Sequence, residues 1–121
     1  MEKAFKKLKR TKRKRLSLPS SLKNEILRII LNQKNARRII LFGSRARGDA
    51  LPTSDIDLAI ADENWSDTDI NLAKHALEAE LRTPLKIDLV NLFTVAKPQF
   101  KAMILKEGRL IYESGKNKKS H

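Results

Sequence analysis

The amino-acid sequence predicts an α/β (α+β) fold, in which a small mixed β-sheet carries helices packed mainly on one of its faces. Short apolar runs rich in Ile, Leu and Val, which are typical of strands, alternate along the chain with longer stretches whose apolar residues recur at helical spacing. Gly, Pro and Ser residues stand at most of the joins, as they do at turns and helix caps. The 121 residues suffice for one such domain with a modest core and two short tails.

The first half of the chain predicts one helix, two strands and a turn between the strands. A Leu-Pro-Ser-Ser sequence ending at Ser21 favours an extended entry and a helix cap, and apolar residues at helical spacing continue to about Leu31. An apolar run at residues 39–42 predicts a strand over about residues 37–42, and the strand-like run at residues 56–61 predicts a second one. Residues 43–54 lie between them and contain two glycines and a proline, so we expect a short helical turn followed by a loop.

The second half of the chain predicts two further helices, each followed by a strand. A cap at Asp67 or Thr68 begins the first of these helices, and a Thr-Pro pair ends it. Residues 85–92 form the next strand, in which apolar and polar residues alternate. Residues 94–107 predict the last helix, whose proline is acceptable only in the first turn, and residues 109–112 predict the last strand.

The positive charge is concentrated at the two ends of the chain. The net charge is +12, yet residues 1–15 alone carry nine Lys or Arg against one acid, and residues 116–121 carry three Lys. The remaining residues are close to neutral, with fourteen basic and thirteen acidic side chains. We therefore divide the chain into a basic arm (1–17), a globular domain (18–113) and a basic tail (114–121), and expect both ends to be disordered. Alternatively, the arm contacts RNA or DNA by neutralising phosphates.

Composition also excludes several classes of protein. The chain has no run of about eighteen apolar residues, so we expect no transmembrane helix. Its basic N-terminal residues are not followed by an apolar stretch, so we expect no secretory signal. Cysteine is absent, which excludes disulfides and thiolate metal sites. We therefore expect a cytoplasmic protein that does not contact a membrane.

A candidate phosphate-binding turn follows the first predicted strand. Gly43 and Ser44 stand where that strand ends, and such a turn can present backbone N–H groups and a hydroxyl to a phosphate. Arg45 and Arg47 add positive charge beside it, and the arginine guanidinium suits phosphate oxygens. Ser44 as a simple helix cap and the two arginines as ordinary surface charges are the alternatives.

Three aspartates form a candidate metal site. Side chains alternate along a strand, so Asp55 and Asp57 point to the same side of the second predicted strand. Two neighbouring carboxylates repel each other unless a divalent cation lies between them or one keeps its proton. Asp88 is a lone acid within the third, largely apolar strand, and it completes a three-carboxylate cluster if the two strands are neighbours. The alternative is that these aspartates are solvated surface acids.

These residues resemble a known family. The resemblance lies in GSRARGDALPTSDIDLAI, followed later by KIDLV and GRLIY. A Gly-Ser pair, ten intervening residues, Asp55-x-Asp57 and a later single aspartate, Asp88, are similar to the DNA polymerase β-like nucleotidyltransferase superfamily. Residues 20–113 as a whole resemble the minimal nucleotidyltransferases of prokaryotes, including the MntA-type antitoxins. The resemblance therefore implies a polymerase β-like nucleotidyltransferase fold.

The resemblance also implies a reaction and roles for the site residues. The three aspartates would bind two Mg²⁺ ions, and Asp88 would also help to activate the attacking hydroxyl. Ser44 and the backbone of Gly43 would contact the triphosphate of ATP or another nucleoside triphosphate, with Arg45 and Arg47 close to it. The acceptor hydroxyl would attack the α-phosphorus, and pyrophosphate would leave.

The identity of the acceptor follows less directly. Superfamily members that modify small molecules or nucleic acids usually carry an additional domain for the acceptor, for which we expect no room here. The resemblance therefore implies a helical HEPN partner, a toxin ribonuclease that the antitoxin inactivates by placing AMP on a tyrosine. The long basic arm departs from the family pattern. Nucleotidyl transfer to RNA or to a small molecule, and a non-catalytic module that only binds its partner, remain the alternatives.

Overall fold

A computed structural model describes residues 17–115 of the chain, together with the backbone of residues 9–10. Within these residues the fold contains four helices and five strands. In chain order they are β1 (Lys9–Arg10), α1 (Ser20–Gln33), β2 (Arg38–Phe42), α2 (Ser44–Arg47), β3 (Ile56–Ile60), α3 (Asp67–Glu80), β4 (Ile87–Asn91), α4 (Pro98–Glu107) and β5 (Arg109–Glu113).

The strands form one mixed sheet in the order β1-β5-β2-β3-β4. The central strand β2 is antiparallel to both of its neighbours, β5 and β3, whereas the outer pairs, β1 with β5 and β3 with β4, are parallel. The parallel pair β3 and β4 is connected through α3, as a parallel pairing requires a crossover. The predicted mixed sheet and the predicted order of its helices and strands are thereby confirmed.

Two apolar layers cover the sheet. The larger one joins α1 and α3 to one face, where residues such as Ile29, Leu58 and Leu77 are fully or almost fully buried. The smaller one lies on the opposite face, where Ile104 of α4 packs with Ile40 and neighbouring residues. The two long helices thus share a face, which confirms that the helices pack mainly on one side. Within the described part of the chain, no helix has both the length and the apolar character needed to cross a membrane.

Two helices begin at residues other than the predicted ones. Ser66, rather than Asp67 or Thr68, caps α3: its hydroxyl accepts a hydrogen bond from the Asp69 N–H (3.1 Å), and the Asp69 carboxylate accepts one from the Ser66 N–H (2.9 Å). Helix α4 begins at Pro98 and not near residue 94, since a proline lacks the N–H that later helical positions must donate and is suited to the first position.

Part of the basic arm has a regular backbone partner. We expected residues 1–17 to be disordered, whereas the structure pairs Lys9–Arg10 in parallel with Arg109 and Leu110 of β5. Because β5 would otherwise end the sheet, its unpaired N–H and C=O groups offer hydrogen bonds to an additional strand. Residues 1–8 and 11–16 of the arm, and residues 116–121 of the tail, lie outside the described residues.

Candidate active site

The pairing of β3 with β4 brings two of the predicted aspartates side by side. In this parallel pair, Asp57 is the direct register partner of Asp88. Register partners point to the same face of a sheet, so their carboxylates lie on adjacent strands and on one side. Asp55 stands two residues before Asp57, immediately ahead of β3, and is exposed. The adjacency that the sequence interpretation required of these strands is therefore present.

The pairing of β2 with β3 brings the Gly-Ser turn close to Asp57 and Asp88. Phe42, the last residue of β2, is the register partner of Asp57, so the chain leaves β2 directly beside this carboxylate. Gly43 has a φ of +77°, and a Cβ atom placed on it would lie 2.5 Å from Asp57 Oδ2. Only glycine permits so close an approach of the backbone in this conformation. Ser44 then begins α2. The turn and the carboxylates consequently belong to one site.

The electrostatics of the site show that the aspartates act on one another. The pKa of Asp57 is raised, first by its burial and then by the negative charges of Asp88 and Asp55, while Lys86 partly opposes the shift. On the other side of the pair, Lys74 Nζ of α3 lies 3.9 Å from Asp88 Oδ1. A carboxylate that is costly to ionise beside two others is suited to bind a cation.

The donor atoms of this cluster fit a hard divalent ion such as Mg²⁺, which prefers carboxylate, phosphate and water oxygens. Among residues 17–115, however, the side chains are not arranged so that three acidic or histidine groups already surround one metal position. Asp57 and Asp88 are adjacent through strand register, whereas Asp55 belongs to a loop and not to the strand itself. The three-aspartate metal site therefore remains a prediction, with Asp57 and Asp88 as its fixed pair.

The guanidinium of Arg45 is bound to backbone carbonyls. Its side chain is buried, and its guanidinium donates hydrogen bonds to the backbone carbonyls of Ser17 (2.6 Å), Pro52 (3.1 Å) and Ser54 (3.0 and 3.1 Å). Nε and Nη2 therefore contact the loop before β3, and Nη1 contacts the segment before α1. A triphosphate would compete with these carbonyls for the guanidinium, so the nucleotide-binding role of Arg45 remains a prediction.

Arg47 is exposed and paired with acids. Its guanidinium lies 3.2 Å from the carboxylates of Asp49 and of Glu107, which joins α2 to the end of α4. The hydrogen bond to Asp49 and the one to Glu107 raise the pKa of Arg47. A triphosphate would compete with these two carboxylates for the guanidinium, so the nucleotide-binding role of Arg47 remains a prediction.

Two lysines of the site were not among the predicted residues. Lys86 stands two residues before Asp88, and the alternation of the strand already places it on the same face. Lys74 belongs to α3, and no local pattern in the sequence indicates that this helix would bring its ammonium group to Asp88. Both lysines supply positive charge beside the carboxylates and are available to anions bound there.

Comparisons with solved structures show that the fold is shared with nucleotidyltransferases. A toxin-antitoxin structure with AMP-PNP matches at 22% identity and a TM-score of 0.63, over 76% of this chain and 73% of that one. The tri-AMPylated HEPN toxin of Shewanella oneidensis in complex with MNT antitoxin matches at 20% identity and a TM-score of 0.59, over 78% and 71%. A structure described as a minimal nucleotidyltransferase matches at 28% identity and a TM-score of 0.54, over 73% and 87%.

A comparison with sequence families agrees with the structural one. No curated protein sequence matches the chain. The family model for polymerase beta nucleotidyltransferases, by contrast, matches residues 24–117, which include the turn, all three aspartates and every strand from β2 to β5. The chain therefore belongs to the polymerase beta nucleotidyltransferase family.

Proposed function

We propose that this protein is a Mg²⁺-dependent nucleotidyltransferase that moves AMP from ATP to a hydroxyl of a partner protein. The observation that carries the proposal is the close approach of the Gly43 backbone to the Asp57 carboxylate, which leaves no room for a Cβ atom, beside Asp88. It unites a turn suited to phosphate oxygens with a carboxylate pair suited to a divalent cation. Nucleotidyl transfer needs both at one place, because its catalysis consists mostly of positioning and charge neutralisation.

Each residue of the site would have its own role in the reaction. Asp57 and Asp88, joined by Asp55, would hold Mg²⁺, which neutralises the phosphate charge when bound. The Gly43–Ser44 turn would orient the triphosphate so that its α-phosphorus faces the acceptor. The acceptor oxygen then forms a bond to the α-phosphorus, the bond to the β-phosphate oxygen breaks, and pyrophosphate leaves. Asp88, which is half exposed, would take the proton of the acceptor hydroxyl.

For the acceptor, we propose a tyrosine of a HEPN-type toxin, so that this chain acts as the antitoxin. The support is the likeness in fold to chains found in toxin-antitoxin structures, one with AMP-PNP and one with an AMPylated HEPN toxin. A tyrosine hydroxyl carried by a second protein would reach the site from outside, and Asp55 and Asp88 are accessible from solvent.

Labelling with radioactive ATP tests the proposal. We expect the chain, incubated with α-labelled ATP, Mg²⁺ and the co-expressed product of the neighbouring gene, to transfer label to that protein. Removing Mg²⁺ with EDTA is expected to reduce labelling at least about a hundredfold, because the carboxylates alone cannot neutralise the phosphates. Labelling that continues unchanged in EDTA would contradict the metal assignment, and partner binding without any label would favour a non-catalytic module.

The basic arm favours a second candidate, transfer of a nucleotide to RNA. Its nine Lys or Arg residues within 1–15 would neutralise phosphates of a nucleic acid. We expect deletion of residues 1–15 to leave labelling of a protein partner within about twofold and to weaken RNA binding, with a shallower dependence of the binding constant on salt. Filter binding at several salt concentrations measures this. Label that appears on RNA and disappears with the arm would support RNA as the acceptor.

A further inference from the structure

The loop between α2 and β3 leads directly into the aspartates. Residues 51–53 are exposed, and Leu51 keeps 68% of its surface accessible, so this loop does not hold its shape by burying apolar side chains. Its internal hydrogen bonds are few and local: the Leu51 N–H donates to Ser54 Oγ (2.9 Å), and the Ser54 N–H donates to the Leu51 carbonyl (3.0 Å). Something else must fix the loop against the body of the protein.

Arg45 provides that contact. From α2 its guanidinium reaches the carbonyls of Leu51 (3.4 Å), Pro52 (3.1 Å) and Ser54 (3.0 and 3.1 Å), so one buried side chain contacts three residues of the loop. Ser54 is the residue immediately before Asp55. A buried guanidinium is tolerated only where its donors are satisfied, and here backbone carbonyls satisfy them.

The third guanidinium nitrogen and the backbone carbonyl of Arg45 contact a second segment of the chain. Arg45 Nη1 donates to the Ser17 carbonyl (2.6 Å), and the Ser17 N–H donates to the Arg45 carbonyl (3.0 Å), which joins α2 to the segment before α1. Arg45 follows Ser44 directly in the chain. A single residue therefore connects the Gly-Ser turn to the entrance of β3, two parts of the site that lie ten residues apart in the sequence.

We propose that Arg45 is a positioning residue of the active site, which holds residues 51–54 in place and thereby fixes Asp55 opposite the Gly-Ser turn. This inference rests on the proposed nucleotidyl transfer for its effect on the reaction, whereas the effect on the loop does not depend on it. Arg45 would touch neither the nucleotide nor the metal. Its loss would displace Asp55 while leaving the Asp57–Asp88 pair, which strand register holds, unchanged.

The test compares Arg45→Lys with Arg28→Lys. Lysine keeps the charge but cannot direct several fixed donors at separate carbonyls. Arg28 undergoes the same change on the surface of α1, where it pairs with Glu25 one helical turn away. We expect R45K to speed amide hydrogen exchange of residues 51–55 by at least about tenfold and to leave exchange in β3 and β4 unchanged. R28K should change exchange in none of these segments. Unchanged exchange in the loop would overturn the proposal.

Kinetics separate positioning from general loss of structure. For R45K we expect kcat for labelling to fall about ten- to a hundredfold, as for a misplaced catalytic group, with KM for ATP changed less than about threefold. The Mg²⁺ concentration for half-maximal activity should rise. A fall in activity that only follows the unfolded fraction, with normal kcat per folded molecule, would overturn the proposal. If wild-type protein transfers no nucleotide, the proposed function fails and the exchange experiment alone decides on Arg45.

A second variant covers the case in which R45K does not fold. Ser54→Ala removes the hydroxyl that accepts from the Leu51 N–H and leaves Arg45 and all its carbonyl partners intact. We expect the same effects in a smaller degree, with faster exchange in residues 51–54 and kcat reduced about two- to fivefold. Faster exchange with an unchanged kcat would show that the loop does not position Asp55.

Discussion

Substitution of Asp57 by Asn is expected to lower nucleotidyl transfer by at least about a thousandfold and, at the same time, to raise the melting temperature in Mg²⁺-free buffer. The loss follows because an amide is a poor ligand for a divalent cation whose contribution to the transition state is several kcal/mol. The gain follows because Asp57 is partly buried beside the charges of Asp88 and Asp55, which makes its ionised form unfavourable in the folded protein.

The pH dependence of that stability gain has a definite sign. Burial and the neighbouring carboxylates raise the pKa of Asp57 in the folded protein above its ordinary value of 3.8, so the folded state binds this proton more tightly than the unfolded state. Ionised Asp57 therefore lowers stability, and the cost is absent below the ordinary pKa. As the pH rises from about 3.8 through the folded pKa, the melting temperature of D57N should increase relative to that of the wild type, and the difference should then level off.

Thermal unfolding at several pH values, without Mg²⁺, measures this difference. Asp67→Asn is the matched control, since Asp67 is an exposed acid in the first turn of α3, beyond the opposite end of β3. We expect it to retain full transfer activity and to show no such gain. Added Mg²⁺ should stabilise the wild type and not D57N, because a ligand that binds only the folded state raises its stability. A fully active D57N protein would disprove the role of Asp57 as a metal ligand.

The sequence carried most of the information about the carboxylates, because a strand has a period of two. That period predicts Asp55 and Asp57 on one face, although Asp55 lies just ahead of β3, and it identifies Asp88 as unusual within its strand. It does not state which strands are neighbours. The match of Asp57 with Asp88 results from the parallel pairing of β3 with β4 through α3, a contact between distant segments. The motif resemblance implied this adjacency before the structure confirmed it.

The arginines show where local patterns stop being informative. Proximity to the Gly-Ser turn predicted the same role for Arg45 and Arg47, yet the structure buries one beneath the loop before β3 and leaves the other on the surface. The directions of the two side chains depend on where residues 51–54 fold back and on where α4 ends at Glu107. The residues next to the arginines in the sequence determine neither of these. Lys74 was missed for the same reason, since its approach to Asp88 depends on how α3 packs.

Gly43→Ala tests the contact on which the proposed function rests. Its Cβ atom would lie 2.5 Å from Asp57 Oδ2, so the turn, the carboxylate or both must move. The backbone of Gly43, at φ +77° and ψ −159°, lies in a region that is open essentially only to glycine, so any residue with a Cβ adds a conformational cost on the order of 1–3 kcal/mol. We expect transfer activity to fall about a hundredfold or more, as the proposed phosphate-binding turn and the proposed metal ligand lose their relative placement.

Gly48→Ala separates the two causes. Gly48 also has a positive φ, +90°, but its ψ of 11° places it in the left-handed helical region at the end of α2, so alanine there meets a milder conformational cost of about 1–2 kcal/mol, five residues away from the turn. We expect both variants to lose stability in thermal unfolding, G43A the more, and only G43A to lose most of its activity when rates are compared per folded molecule. If both variants lose the same activity, backbone strain, and not the approach to Asp57, accounts for the loss. If G43A keeps a normal kcat and KM, the close approach of Gly43 to Asp57 has no part in the reaction.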